Sequence, residues 1–501
     1  MLVNNSFHWC AGVRCGLRVF SAILVLWLSH VTIRSQPDHQ NDLLESIQLL
    51  AEFAAIPSDS ANAAGVNKAA DWLVERFTSI GMRARRLPMA GANPLVYAEH
   101  DPGGAAFTVL FYAHYDTQPT GPKTDWESTG GEPFAPRLLS GRFDEPSTRT
   151  LAIEDLDDAR LPTARLYARG VADDKAPIVM HLMALKRWLA GQTSRRLKVK
   201  YLLDGEEEAG SPHIAAALAQ HRELLRADLL VLSDGPMDAE GRPSIYLGTR
   251  GDMHMMLRVT TASSSAHSGN YGLLPDAAGR LASLLATMKD PNGQVTVEGF
   301  ADDVIPPTSE EKAAMKIASS AEATIGRHLG ARRFEGDPAV PYFERLLFRP
   351  TFAINHLTAG RPGNQIPHTA EALLEVRLVT AQDPRRVFEA FQRHVAARLP
   401  EAKLEYLDGV QAARMDPRDP VVAKGIAAVR SAAGGNLLVY PTLGGTLPLL
   451  RDFETAGFRY IGLPLVNFDN NQHVANENLR VAVLPDGIRF VERLLDALAS
   501  P

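Results

Sequence analysis

The sequence predicts an α/β protein: a mostly parallel central sheet covered by helices, interrupted by an inserted α+β domain. Three observations predict it. Short, nearly continuous apolar runs at 107–113, 197–203 and 227–232 have the pattern of strands buried on both faces. Stretches with helical spacing alternate with them, which implies parallel pairing through crossover connections. After Arg250 the pattern changes to an alternating strand at 253–259, as expected where one sheet face is open. At 501 residues the chain also exceeds one compact core and suits two domains.

The elements follow in order. Residues 1–36 carry Arg14, Arg18 and Arg34, no acidic residue, and an apolar run at 19–33 broken by Ser21, Ser29 and His30. The run is shorter than the ~20 apolar residues that span a bilayer. It therefore predicts an export signal peptide, with an uncleaved membrane anchor as the alternative and a periplasmic or secreted location. Apolar spacing predicts helices at 43–53, 67–80 and 176–189, with strands at the three runs above. The polar stretch 137–162 reads as a surface insertion. The first part of the large domain is then 37–247. The inserted domain, 248–415, begins with the strand 253–259. A helix at 273–288 and a longer helical stretch at 309–328 follow, then a strand at 372–378 and a helix at 385–399. Residues 416–501 return to the large domain through a helix at 421–433 and loops rich in Gly, Pro and Asn.

Composition limits the chemistry. The formal charge is −6, and without the three leader arginines the balance is 49 basic to 58 acidic residues, or −9. A mildly acidic chain without a basic stripe or aromatic platform argues against a nucleic-acid partner. Both cysteines, Cys10 and Cys15, lie in the leader. Past it there is no thiol for a disulfide or a metal, so any metal site must use His, Asp and Glu.

Each predicted buried strand runs into polar chemistry. The first meets His114-Tyr115-Asp116, the second Asp204-Gly205-Glu206-Glu207-Glu208, and the third Ser233-Asp234-Gly235. Ligands of open α/β sheets collect at such carboxyl ends. Zn²⁺ without thiolates takes imidazole and carboxylate ligands, and two neighbouring ions need a bridging carboxylate. The candidates are His114, Asp173 in ARGVADDKAP, Glu207 or Glu208, Asp234, and His473 in NNQHVANEN. In an extended segment Asp116 faces the same way as His114 and can accept its spare N–H. Each alone has a plain reading: a polar strand end, a helix cap at Asp173 or Asp174, an exposed acidic turn, a polar loop.

Their order is far more specific than any member. His-x-Asp, Asp-Asp-Lys, Glu-Glu, Ser-Asp-Gly and His-x-x-Asn-Glu together resemble the zinc peptidase family of carnosine dipeptidases, carboxypeptidase G, acetylornithine deacetylase and succinyl-diaminopimelate desuccinylase. The resemblance covers nearly all of the chain after the leader. It is nearest to the carnosine-dipeptidase branch through YAHYDTQP, ARGVADDK, ESTGGEPFAP, AHSGNYG and GFADDVIPPT. It implies a zinc-peptidase catalytic domain with an inserted lid and dimerisation domain, and two Zn²⁺ ions, with Mn²⁺ as the alternative. Asp173 would bridge them, His114 and Asp234 completing one site and Glu208 and His473 the other. Glu207 would be the general base acting on a metal-bridging hydroxide, then the acid that protonates the leaving amine, while Asp116 orients His114. His267 in AHSGNYG would stabilise the oxyanion, often across a dimer interface. Arg377 in LLEVRLV and the Gly444-Gly445-Thr446 loop would hold a substrate carboxylate, and Asn364 in RPGNQIP would contact substrate. The plain readings of His267 and Arg377 are a surface histidine and an exposed strand arginine. Two departures stand out: Ala176 follows Asp-Asp-Lys where relatives carry Gly, and the turn after His267 reads GNYGLLPDA.

The expected function is hydrolysis of the amide bond of dipeptides or short peptides with a free C-terminal carboxylate. The alternatives are an N-acyl amino acid deacylase using the same site and, in another class, a binding protein that keeps the fold. The binding reading predicts a missing ligand or base, and none is missing.

Overall fold

The structure, a computed structural model, describes residues 37–191 and 196–500. The leader, with Cys10, Cys15 and the predicted signal or anchor, lies outside the described residues. Among those described, no helix is long and apolar enough to cross a membrane.

Two separate apolar cores organise the chain. The larger surrounds an eight-stranded sheet, in the order Arg83–Leu87, Leu95–His100, Leu197–Asp204, Phe107–His114, Leu229–Leu232, Tyr460–Gly462, Ser244–Tyr246, Leu438–Tyr440. Its four central strands, from Leu197–Asp204 to Tyr460–Gly462, are parallel. The first two strands pair antiparallel, as does Tyr460–Gly462 with Ser244–Tyr246. Leu438–Tyr440 and Ser244–Tyr246 pair parallel, so the sheet is mixed, with four of its seven pairings parallel. The three central apolar runs met the expectation; Arg83–Leu87 at the edge and Leu95–His100 beside it form a hairpin too polar or too short to stand out. Helices Pro37–Ala54, Ala63–Ser79, Lys175–Ala190, Pro420–Ala432 and Val483–Ala499 flank the sheet. The last, not predicted from the sequence, buries Leu484, Ile488, Val491, Leu494, Leu495 and Leu498 on one stripe.

The second core sits on a four-stranded antiparallel sheet, ordered Thr351–Ala359, Thr369–Leu378, Gly251–Thr260, Lys403–Val410. In Gly251–Thr260 the residues Met253, Met255, Leu257 and Val259 are buried and alternate with more exposed neighbours, as expected for a one-sided strand. Helices Ala277–Ala286 and Pro384–Arg398 cover that face.

Two segments differ from expectation. The 309–328 stretch is two helices, Ser309–Ala318 and Glu322–Leu329, joined by a single tight turn. Met315 and Ala318, with Leu347 and Phe348 of helix Tyr342–Phe348, pack into the larger core rather than the smaller. The polar stretch 137–162 is also not simply a surface insertion. Its strand Arg137–Leu139 pairs with Arg165–Tyr167, and Leu138, Leu139, Leu151 and Leu156 are buried.

Candidate metal centre

Three neighbouring parallel strands end at one edge. His114 and Asp204 are register partners at the last positions of their strands, and Tyr112 pairs with Leu232, two residues before Asp234. After Asp204 the chain turns through Glu207–Ala209. Of the three consecutive glutamates, Glu206 faces away, taking the Asn93 amide at 2.9 Å and lying 2.7 Å from His213 Nδ1. Glu207 and Glu208 face the gap, because the Asp116 carboxylate holds both their amides, at 3.1 and 3.0 Å. Asp116 also lies beside His114, whose Nδ1 is 3.2 Å from its carbonyl oxygen and 3.4 Å from its carboxylate. The predicted orienting contact is therefore present, mainly through the backbone.

Asp173 is the hub. One carboxylate oxygen lies 3.0 Å from His114 Nε2, and the other 3.1 Å from His473 Nε2. His473 Nε2 is also 3.4 Å from Glu208, and Glu207 lies 4.0 Å from His114 Nε2. Two triads of donor atoms result, each within 4.8 Å: His114, Asp173 and Asp234, and Asp173, Glu208 and His473. The helix-cap reading fails here. Asp174 stands at the N-cap of Lys175–Ala190 but makes no capping bond, and its carboxylate instead accepts the His114 amide at 3.2 Å.

The support behind these ligands was not read from the sequence. Glu477 is fully buried and accepts the amides of Gly170, Ala172 and Asp173 at 2.8, 2.9 and 3.0 Å, and Arg169 at 2.9 Å. It holds the Asp173 loop through the backbone, the kind of outer contact that orients a metal ligand. The only sequence signal was an acidic residue four positions after His473. On the other side Tyr246 donates to the Asp234 carbonyl at 3.1 Å. A Cβ on Gly462 would fall 2.0 Å from the Tyr246 ring, so only glycine lets that ring cross the strand. Behind the same strand end, buried His181 bridges Tyr201 and Ser233 at 2.8 Å on each side.

The electrostatics suit a cation. Burial pushes the Glu207 carboxyl well above its usual range, with repulsion from Asp234 and Glu208 adding to it. Burial likewise lifts Glu208 to about 7 and Asp234 to about 6, with Asp173 repelling both. His473 rises to about 9 through its bond to Asp173. Burial would raise Asp173 too, but its two imidazole partners hold it well below the usual carboxylate range. So dense a set of buried carboxylates needs positive charge to stay ionised, and its nitrogen and oxygen donors fit Zn²⁺ or Mn²⁺.

A cavity of about 540 Å³ opens on this edge, lined by Asp173, Glu207, Glu208, Asp234, His473 and the Gly444–Thr446 loop. Arg377 donates to Thr446 Oγ1 at 2.8 Å, so the two predicted carboxylate-binding elements meet. Arg377 also pairs with Glu375 at 2.6 Å and Asp252 at 3.6 Å. With His254 those two carboxylates form a third cluster of donor atoms, whose charge the arginine partly offsets. His267 and Asn364 are adjacent: Ala266–His267 pairs with Gln365–Ile366, and the Ser268 amide reaches the Asn364 carbonyl at 3.0 Å. Both are exposed on the inserted domain, and neither is among the described residues that line the cavity.

Known proteins resemble this chain in sequence and fold. The model of peptidase family M20/M25/M40 matches residues 110–497. Human Beta-Ala-His dipeptidase is 25% identical over 469 residues, covering 87% of this chain and 86% of its own. Cysteinylglycine-S-conjugate dipeptidase of Corynebacterium striatum is 26% identical over 408 residues, covering 79% and 82%. The crystal structure of the M20 family metallo-carboxypeptidase Sso-CP2 from Sulfolobus solfataricus superposes with a TM-score of 0.73 at 28% identity, covering 91% of this chain and 99% of that one. With two sets of His, Asp and Glu donors at the strand ends of that fold, the chain belongs to peptidase family M20/M25/M40 and is a metal-dependent hydrolase of that type.

Proposed function

We propose that the protein is a dinuclear metallopeptidase that cleaves dipeptides or short peptides next to a free C-terminal carboxylate. The observation that carries this reading is Asp173, shared between both donor triads with one oxygen toward His114 and the other toward His473. Two divalent ions held there would polarise the scissile carbonyl and make an attacking water more acidic.

The chain's own residues do the rest. Glu207 faces the gap without belonging to either triad, and its raised carboxyl suits a group that takes a proton and gives it back. It accepts the proton of the attacking water and then delivers it to the leaving amine. Thr446 and the Gly444-Gly445 amides, with Arg377 behind them, bind the substrate carboxylate and fix the peptide's register. His267 and Asn364 complete the site from a second copy of the chain, His267 toward the oxyanion, in a homodimer formed through the inserted domain. The leader directs export to the periplasm or outside the cell.

The β-Ala-His and cysteinylglycine-S-conjugate activities in the relatives' names favour dipeptides over N-acyl amino acids. The test is hydrolysis of a panel of both classes by the purified full chain with Zn²⁺ or Mn²⁺, with and without chelator. Chelator-sensitive dipeptide turnover is expected. Glu207→Gln should bind metal normally and lose about 10²–10⁴ in kcat. Normal turnover by that variant removes Glu207 from the mechanism, and turnover of N-acyl amino acids alone replaces the peptidase with a deacylase.

A further inference from the structure

We propose that the cavity selects substrates whose C-terminal residue carries a large apolar side chain. This rests on the peptidase reading above and names the substrates it favours. In a dipeptide only one residue separates the free carboxylate from the scissile carbonyl. With the carboxylate on the Gly444–Thr446 loop and the carbonyl at the Asp173 centre, that residue's side chain faces the wall between them.

That wall is apolar. Leu443 and Leu447 flank the loop and line the cavity, and Phe343 and Leu347 of helix Tyr342–Phe348 line it too. The helix lies close to the loop: Leu346 Cδ2 is 3.3 Å from where a Cβ on Gly444 would stand. The Phe343 ring packs 5.3 Å from that of Tyr440, another lining residue. At about 540 Å³ the cavity has room for a leucine or phenylalanine side chain beside the peptide backbone.

The charges leave nothing for an ionic side chain. Of the charged residues lining the cavity, Asp173, Glu208, Asp234 and His473 are donors of the two triads and Glu207 is the base beside them. The remaining one, Asp238, is bound by Arg242 at 2.6 and 2.9 Å and by the Tyr440 hydroxyl at 2.8 Å. A lysine or aspartate placed here would lose its hydration without a partner. Arg242 also fixes the wall. Its guanidinium donates to the carbonyls of Ile317 and Ala318 at 3.1 and 3.3 Å, and to Ser320 Oγ at 3.0 Å. It thereby ties the end of helix Ser309–Ala318, which packs against Tyr342–Phe348, to the large domain.

The test uses the full chain loaded with Zn²⁺. Calorimetric binding of free Leu, Phe, Ser, Asp, Lys and His, the carboxy-terminal products, is compared with kcat/KM on the matching Ala-Xaa dipeptides. Leu and Phe should exceed Asp, Lys and His by about tenfold or more in both series. Leu443→Lys, checked for an unchanged melting temperature, should raise the Ala-Asp to Ala-Leu ratio by about tenfold or more. If that variant melts early, Phe343→Ala serves instead, with a loss confined to Ala-Phe and Ala-Leu. A flat profile, or a preference for charged side chains, overturns the subsite. If no dipeptide is cleaved while Leu and Phe still bind best, the subsite stands and the peptidase reading falls.

Discussion

Replacing Glu477 by glutamine tests whether a residue that touches no substrate sets the geometry of the metal centre. The change keeps the side-chain volume and one accepting oxygen but puts an NH₂ where the other oxygen was. Four donors now converge on the carboxylate: Arg169 Nη1 and the amides of Gly170, Ala172 and Asp173, all within 3.0 Å. Either Arg169 with Gly170, or Ala172 with Asp173, would then face a donor. The Arg169–Glu477 pair is 2% and 1% exposed, so solvent cannot compensate the arginine. Breaking such a pair costs about 3–5 kcal/mol. The retained oxygen puts Glu477→Gln near the lower end, and in a chain of this size the melting temperature should fall on the order of 3–5 °C. Because Asp173 hangs on this cradle by its backbone, Zn²⁺ affinity should fall about 10–100-fold. Differential scanning calorimetry and zinc competition against a chromophoric chelator measure the two effects. A variant that melts within about 1 °C of wild type and titrates zinc normally would refute the cradle's role.

Three further outcomes are expected. Arg377→Ala should lower kcat/KM about 10–100-fold for peptides with a free carboxylate and leave C-terminally amidated peptides unaffected; the loss should be toward the lower end, since Glu375 and Asp252 already share its charge. Equal losses on both substrates would exclude the clamp. Mixing inactive Glu207→Gln and His267→Ala chains should restore about a quarter of wild-type turnover if His267 serves the partner's site, and no recovery rejects that arrangement. Asp469 is half-buried, and although burial raises it, Arg480 and Arg165 hold it well below its ordinary 3.8. A depressed carboxyl stabilises the fold above its unfolded pKa and loses that contribution as pH falls toward the folded value. Asp469→Asn should therefore melt earlier than wild type at pH 7, with the gap closing below pH 3.8; a gap that persists there would exclude the linkage.

The strand ends and their chemistry were legible in the sequence because both are local. A continuous apolar run such as FTVLFYA reports burial on two faces, and the polar residues just after it are placed at the sheet edge by chain connectivity alone. That is why His114, Glu207, Glu208 and Asp234 could be placed together as candidates at the sheet edge before any contact was known. The hairpin Arg83–Leu87 and Leu95–His100 was harder to read, since short or half-exposed strands owe their form to what they pack against. Helix Val483–Ala499, by contrast, carries the helical spacing Leu484, Ile488, Val491, Leu495, Leu498 in its own sequence. What only the tertiary structure decided is every relation across sequence distance. Asp173 meets both His114 and His473, Glu206 turns away while its two neighbours turn in, and Glu477 carries the Asp173 loop. Helices Ser309–Ala318 and Tyr342–Phe348, expected to belong to the inserted domain, join the larger core, and Phe343 and Leu347 shape the cavity. Spacing along a chain carries no information about which of two apolar surfaces a helix will cover; that choice belongs to the packing of the whole molecule.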